Sequence, residues 1–170
     1  MKIKKLFILV ILTIILLSLS GCYDAHGIEE FSYATAIGLD ISEDKLLSLT
    51  LQISIPSTDS ESGSSQSSKT DAITVKCNSI NSGINLINNY ISKEVNLSHC
   101  KVIVISEEFA AQGLSECVDT LANIVEIRPD CNVIITKCSA KKFIENASPS
   151  IETLTARYYE VALKSSEYTG

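Results

Sequence analysis

Tyr33-Ala34-Thr35-Ala36-Ile37-Gly38-Leu39-Asp40-Ile41, then Ser42-Glu43-Asp44-Lys45, then Leu47-Ser48-Leu49-Thr50-Leu51-Gln52-Ile53-Ser54-Ile55, is the stretch that decides the fold. In the first run Tyr33, Thr35, Ile37, Leu39 and Ile41 alternate with Ala34, Ala36, Gly38 and Asp40. In the second, leucines and isoleucines alternate with Ser48, Thr50, Gln52 and Ser54. Successive strand side chains point to opposite faces, so each run presents one apolar side. Two such runs joined by a short polar link predict an antiparallel hairpin with one buried face. Asp40 then points away from the hairpin's apolar side.

Downstream, Pro56 ends the second strand, and residues 57–69 contain seven serines and no large apolar residue. Such a segment has nothing to bury and reads as a mobile loop within one domain. A third strand is expected over Ala72–Cys77. Between Asn78 and Glu94, Ile80, Ile84, Ile87 and Ile91 recur at helical spacing, with Leu86 and Tyr90 beside them. The five asparagines from Asn78 to Asn89 lower helix propensity, so packing must supply that helix's stability.

Val102-Ile103-Val104-Ile105 is a continuous β-branched run, which suits a central strand buried on both faces. Leu114, Cys117, Val118, Leu121, Ile124 and Val125 repeat at helical spacing, with Gly113 separating a short turn from the main helix. Val133-Ile134-Ile135, within Asn132–Lys137, reads as the next buried strand. Strand, helix and strand of these lengths predict a right-handed βαβ crossover between parallel strands. Lys141–Asn146 looks like a short helix. Ser148 offers an N-cap, with Pro149 at the first helical position, for a last helix carrying Ile151, Leu154, Tyr158 and Val161. The sum is an α/β (α+β) domain: a mixed β-sheet with an N-terminal antiparallel hairpin and a βαβ unit, helices packed on the sheet.

Upstream, Lys2, Lys4 and Lys5 precede an apolar run from Leu6 to Leu17 broken only by Thr13, and Leu19-Ser20-Gly21-Cys22 follows. A positive start, a short apolar core and small residues form a secretory signal. The small residues directly before a cysteine match the bacterial lipobox. Residues 1–21 are therefore read as a lipoprotein signal peptide. Cys22 is the lipidation site, its thiol taking a diacylglyceryl group, and residues 22–31 form a lipidated stalk. Acyl chains in pairs anchor a protein stably.

The whole chain of 170 residues has a formal charge of −6, and loss of the three signal lysines leaves −9 over the 149 residues from Cys22. That length suits one domain with its own core. The acidic balance argues against nucleic acid and against broad contact with anionic headgroups. With Cys22 lipidated, Cys77, Cys100, Cys117, Cys131 and Cys138 remain, an odd number without a C-x-x-C pair. Cys131 and Cys138 bracket a strand about 23 Å long, too far apart to bridge or share a metal. The thiols are expected to be mostly free and in the core, with room for one bridge.

Two histidines are present. His26 lies in the stalk. His99 precedes Cys100 at the start of the central strand, where neighbours point to opposite faces, which rules against a thiol–imidazole pair. Glu29-Glu30 and Glu107-Glu108 read as solvated faces or helix first turns. No phosphate loop, nucleophile elbow or zinc-peptidase motif occurs. No catalytic or metal-ligating set is expected, and no cofactor beyond the covalent lipid on Cys22. A lipid-anchored solute-binding protein feeding a transporter is the alternative; it requires a deep cleft between two lobes.

Several stretches taken together resemble the Ger(x)C family of spore-germination lipoproteins, the C-type subunits of nutrient germinant receptors. Gly21-Cys22-Tyr23-Asp24, through Ile28-Glu29-Glu30 to Ala36-Ile37-Gly38-Leu39-Asp40, is similar to that family's opening. Leu97-Ser98-His99-Cys100-Lys101-Val102-Ile103-Val104-Ile105-Ser106-Glu107 is similar to its histidine-bearing strand. Glu126-Ile127-Arg128 and Lys141-Lys142-Phe143-Ile144 follow in the family's order, and the serine-rich loop falls where the family varies. Tyr23 stands for the usual Trp and Ser98 for a common Gly. Family members generally carry further C-terminal domains, so residues 32–165 are read as the N-terminal domain and 166–170 as a tail, the chain being either a truncated or frameshifted member or a short paralogue. The resemblance implies a non-catalytic subunit on the outer surface of the spore's inner membrane, partnered by membrane-embedded A-type and B-type subunits. It implies partner contacts through Asp24, Ile28, Glu29, Glu30 and His99.

Overall fold

The computed structural model describes residues 2–18, 31–55, 69–147 and 159. The chain divides into two units, Met1–Glu30 and Phe31–Gly170. In the first, α1 (Lys2–Ser18) is a helix of 17 residues. At ~1.5 Å per residue it spans about 25 Å, against ~30 Å of bilayer hydrocarbon. Among the described residues no helix is long and apolar enough to cross a membrane. Thr13 donates its hydroxyl to the Leu9 carbonyl at 2.8 Å, so the polar break in the run is satisfied within the helix.

The second unit is built on β1 (Phe31–Ile41) and β2 (Leu47–Ile55), paired antiparallel with Ile37 opposite Leu51 and Leu39 opposite Leu49. The expected hairpin is present. Its link is closed by the Lys45 N–H donating to the Ser42 carbonyl at 2.8 Å, with Lys45 in the left-handed region at φ 59°. β3 (Lys69–Cys77) runs antiparallel to β2. β5 (Val102–Ser106) lies parallel to β1, and β6 (Asn132–Thr136) parallel to β5. β4 (Glu94–Asn96), which no sequence pattern announced, pairs in parallel with Phe31–Tyr33. The mixed sheet runs β3-β2-β1-β5-β6, with β4 beside the start of β1.

Helices α2 (Ile80–Tyr90), α3 (Glu107–Ala110), α4 (Ser115–Ala122) and α5 (Ala140–Asn146) fill the connections. α2 starts from a capping box, Ser79 Oγ accepting from Ser82 N–H and Ser82 Oγ from Ser79 N–H, which offsets its asparagine-rich composition. Gly113 separates α3 from α4 at φ 105°, as the sequence suggested. One face of the sheet buries Ile37, Leu39, Leu49, Leu51, Ile103 and Ile105 beneath α2 and α4; the other buries Ala36, Val102 and Val104 beneath α5 and Tyr159.

Several expectations need correction. The hairpin has two buried faces: every residue from Ala34 to Asp40 is buried, as are Thr50 and Gln52. Its alternation also breaks once. A bulge at Thr35 sets Ala34 against Ile53 but Ala36 against Gln52, so Ala34, not Thr35, joins Ile37 in the aliphatic core. Among the described residues β6 is an edge strand, with Val133 59% and Ile135 57% exposed. The second main helix ends at Ala122, where the Asn123 side-chain amide donates to the Asp119 carbonyl at 2.8 Å. Val125 lies beyond that end and is exposed, Val118 is exposed on the outer side of α4, and so are Leu86 and Tyr90 on α2. The serine-rich segment and the expected last helix lie outside the described residues, except at their margins Lys69 and Tyr159. Tyr159 is buried at a position the expected helical stripe did not include.

Candidate partner-contact site

His99 sits in the turn between β4 and β5 rather than on a strand, and its ring lies open to solvent. It stacks on Tyr33, with centroids 4.4 Å apart and planes at 22°. Tyr33 in turn tilts against Phe31 at 6.4 Å, so three rings form a row where β1 begins. Phe31 follows directly on Glu30 in the chain. Cys22, Asp24, Ile28, Glu29 and Glu30 themselves lie outside the described residues.

The turn under His99 is held by side chains from three places. Asn96 Oδ1 accepts from the Ser98 N–H at 2.9 Å and from the Ser98 hydroxyl. Glu126 Oε2 accepts from the Leu97 N–H at 2.9 Å, and Asn88 Oδ1 from the Val95 N–H at 2.9 Å. The Lys101 N–H donates to the Thr35 carbonyl at 3.0 Å, pinning the turn's exit to the bulge of β1. Glu126 is thus a brace for the His99 turn, although the sequence placed the two 27 positions apart with no pattern linking them. Arg128 forms a two-pronged pair with Asp130 at 3.0 and 3.2 Å just beyond.

His99 and Cys100 do not meet. Cys100 is buried and turns to Cys131, with the two sulfurs 3.7 Å apart. The contact with Cys131, together with burial, pushes the Cys100 thiol well above its usual range. The same contact holds Cys131 below its ordinary value, with Lys101 assisting and burial and Asp130 opposing. Burial raises Cys77 and Cys117. Cys117 is the small core residue on α4 that its sequence position suggested.

At the other end of β1, Asp40 does point away from the aliphatic face, but into protein. Its Oδ1 accepts from the Ala140 N–H at 2.7 Å and its Oδ2 from the Lys141 N–H at 2.9 Å. The carboxylate caps α5 alongside the N-cap Ser139, where an anion complements the helix dipole. Gly38 leaves room for that helix: a Cβ there would stand 2.8 Å from Ile144 Cδ1 and 3.3 Å from Ala140 Cβ. The Ala36-Ile37-Gly38-Leu39-Asp40 run is therefore a seat for α5. Between the two ends, Gln52 ties the layer together: its Oε1 accepts from the Tyr159 hydroxyl at 3.2 Å and lies 3.1 Å from Thr35 Oγ1, while its amide donates to the Ile144 carbonyl at 3.4 Å.

Among the described residues no group of His, Cys, Asp and Glu could hold a metal ion, and Glu107 and Glu108 lie exposed in the first turn of α3. Surface clefts of about 560 Å³ beside α4 and 520 Å³ where β1, β5 and β6 end are open, with mostly exposed walls of mixed polarity. Neither is the two-lobed cleft that a solute-binding protein requires. Of the three rings only His99 is exposed, Phe31 and Tyr33 being half-buried, so the face left for stacking is that of the imidazole.

The Spore germination protein N-terminal domain family matches residues 24–170. Among curated proteins the chain is similar to Spore germination protein KC of Bacillus subtilis (strain 168), 22% identical over 153 residues, covering 86% of this chain. The alignment takes in 38% of that relative's length, so the chain corresponds to well under half of it. No solved structure matches significantly.

Proposed function

The chain belongs to the Spore germination protein N-terminal domain family, and on that premise we propose that it is the lipid-anchored C-type subunit, or its N-terminal part, of a spore nutrient germinant receptor. The family match over residues 24–170 carries this reading. Residues 1–21 act as the lipoprotein signal, Cys22 receives the lipid, residues 22–31 are the stalk and residues 32–165 the domain. A 17-residue helix that opens on three lysines and continues as the apolar run Leu6–Leu17, followed by Leu19-Ser20-Gly21-Cys22, supports that assignment. The mature protein sits on the outer surface of the spore's inner membrane and assists assembly or signalling by A-type and B-type membrane subunits. It is not an enzyme. Asp24, Ile28, Glu29, Glu30 and His99 are the partner contacts in this reading, and the exposed His99, stacked on Tyr33 over a braced turn, supports its own part of it.

The test is co-purification from spores. The intact chain and its Cys22→Ala variant are expressed in a sporulating host beside candidate A- and B-type subunits, and inner-membrane extracts are captured through the chain. Recovery of those subunits, reduced at least tenfold by Cys22→Ala, is expected. A lipidated, membrane-bound chain that recovers neither subunit sinks the receptor assignment. His99→Ala with Tyr33→Ala then asks whether the aromatic row makes the contact: subunit recovery should fall while lipidation is unchanged.

A further inference from the structure

We propose that Cys100 and Cys131 are a redox pair, closing to a disulfide when the protein meets a small-molecule disulfide oxidant. Their sulfurs are 3.7 Å apart, and a bridge needs about 2.05 Å. The neighbouring backbone is tied together: Val102 pairs with Asn132 in the parallel ladder, and the Asn132 N–H donates to the Lys101 carbonyl at 3.1 Å. Both cysteines sit just ahead of the paired strands, at the ends of turns closed by Cys100 N–H to Leu97 and Cys131 N–H to Arg128. The remaining approach therefore needs side-chain rotation and a small turn adjustment, not movement of the ladder. Cys77, Cys117 and Cys138 make no contact with another cysteine sulfur among the described residues.

The two thiols differ in a way that sets the order of events. Cys131 is half-buried and reachable, whereas Cys100 is 1% exposed. The Cys131 thiolate, favoured by the bond it accepts from Cys100, attacks one sulfur of the oxidant. The oxidant's S–S bond breaks, one half leaves as thiolate and takes up the proton Cys131 gave up, and the other half stays on Cys131 as a mixed disulfide. Cys100 then loses its proton and attacks Cys131 Sγ, expelling the second half as a thiol. Two cysteines are oxidised, and the oxidant is reduced to two thiols. The product ties the His99 turn to the start of the edge strand β6 without touching the ring stacked on Tyr33.

The reduced full chain, freed of reductant under inert gas, is titrated with oxidised glutathione, then alkylated, denatured and mapped by peptide mass spectrometry. A Cys100–Cys131 linked peptide should become the main oxidised species, with two glutathiones released for each bridge. Cys100→Ser should halt at a glutathione adduct on Cys131. Cys131→Ser, at a half-buried position, should leave Cys100 fully alkylatable after unfolding. A wild-type chain that stops at the Cys131 adduct, bridges another pair, or keeps both thiols alkylatable overturns the proposal.

Discussion

On one face of β1 and β2, Ile37, Leu39, Leu49, Leu51 and Ile53 join an apolar core with α2 and α4. On the other, Ala36, Gly38, Asp40, Thr50 and Gln52 meet α5 and Tyr159 through close backbone approach and directed hydrogen bonds. Both faces are equally shut off from water. The first derives its stability from area and packing, which tolerate exchange among aliphatic residues of similar volume. The second depends on absent side-chain volume at Gly38 and on partners for every polar atom; among the described residues no buried side-chain polar atom lacks one. A small-and-polar strand face is therefore not evidence of solvent.

The largest effect should come from the aliphatic face. Leu51→Ala removes a fully buried side chain between β1 and β3 and should lower unfolding free energy by about 2–5 kcal/mol in urea denaturation. Gly38→Val on the opposite face should cost about 1–3 kcal/mol, by overpacking rather than by a cavity. The two variants also separate by place. Hydrogen exchange should quicken selectively in α5 for Gly38→Val and across β1–β3 for Leu51→Ala. If both loosen the same amides, the two faces are one cooperative layer and the contrast fails.

The aliphatic face was legible in the sequence because strand alternation is a local, period-two signal, and the β-branched run at Val102–Ile105 marked the centre of the sheet in the same way. The second face was not, because its causes lie far apart along the chain. Asp40 finds its partners 100 and 101 positions away, and Gln52 meets Tyr159 after 107. Gly38 did carry a usable hint, since an isolated glycine inside a strand often marks close approach of other backbone. The bulge at Thr35 had no such mark. At the candidate site, His99 was visible as one of two histidines, but its stacking on Tyr33, the Glu126 brace and the Cys100–Cys131 contact depend on strand pairing that only the assembled sheet provides. The exposed β6 misled for the opposite reason: Val133-Ile134-Ile135 has core composition but lies at an edge.

Asp40→Ala sharpens the contrast further. It keeps the strand and creates little overpacking, yet strips two N–H groups at the start of α5 of their acceptors. A loss of about 1–2 kcal/mol is expected, the range for removing a helix cap. Asp40→Asn retains one acceptor oxygen and should recover part of the loss. An effect as small for Ala as for Asn would mean that water replaces the cap and that this face is less tightly closed than its burial indicates.

The smallest effect should lie outside both faces, at the hairpin's tip. Lys76 Nζ and Asp44 Oδ2 are 2.6 Å apart, but the two side chains are 56% and 65% exposed. The hydrogen bond and charge of Lys76 hold the Asp44 carboxyl below its ordinary value, and Asp44 raises Lys76 in return. A depressed carboxylate contributes stability above its unfolded-state pKa and loses it as pH falls through the folded one, so any contribution from Asp44 would fade in the acid range below about pH 4. Water and salt screen a pair this open. Asp44→Asn should therefore leave the urea midpoint at neutral pH and physiological salt indistinguishable from that of the unaltered chain. A clear drop, growing as salt is lowered, would place part of the hairpin's stability in its exposed tip. Burial of the two faces would then no longer account for the hairpin alone.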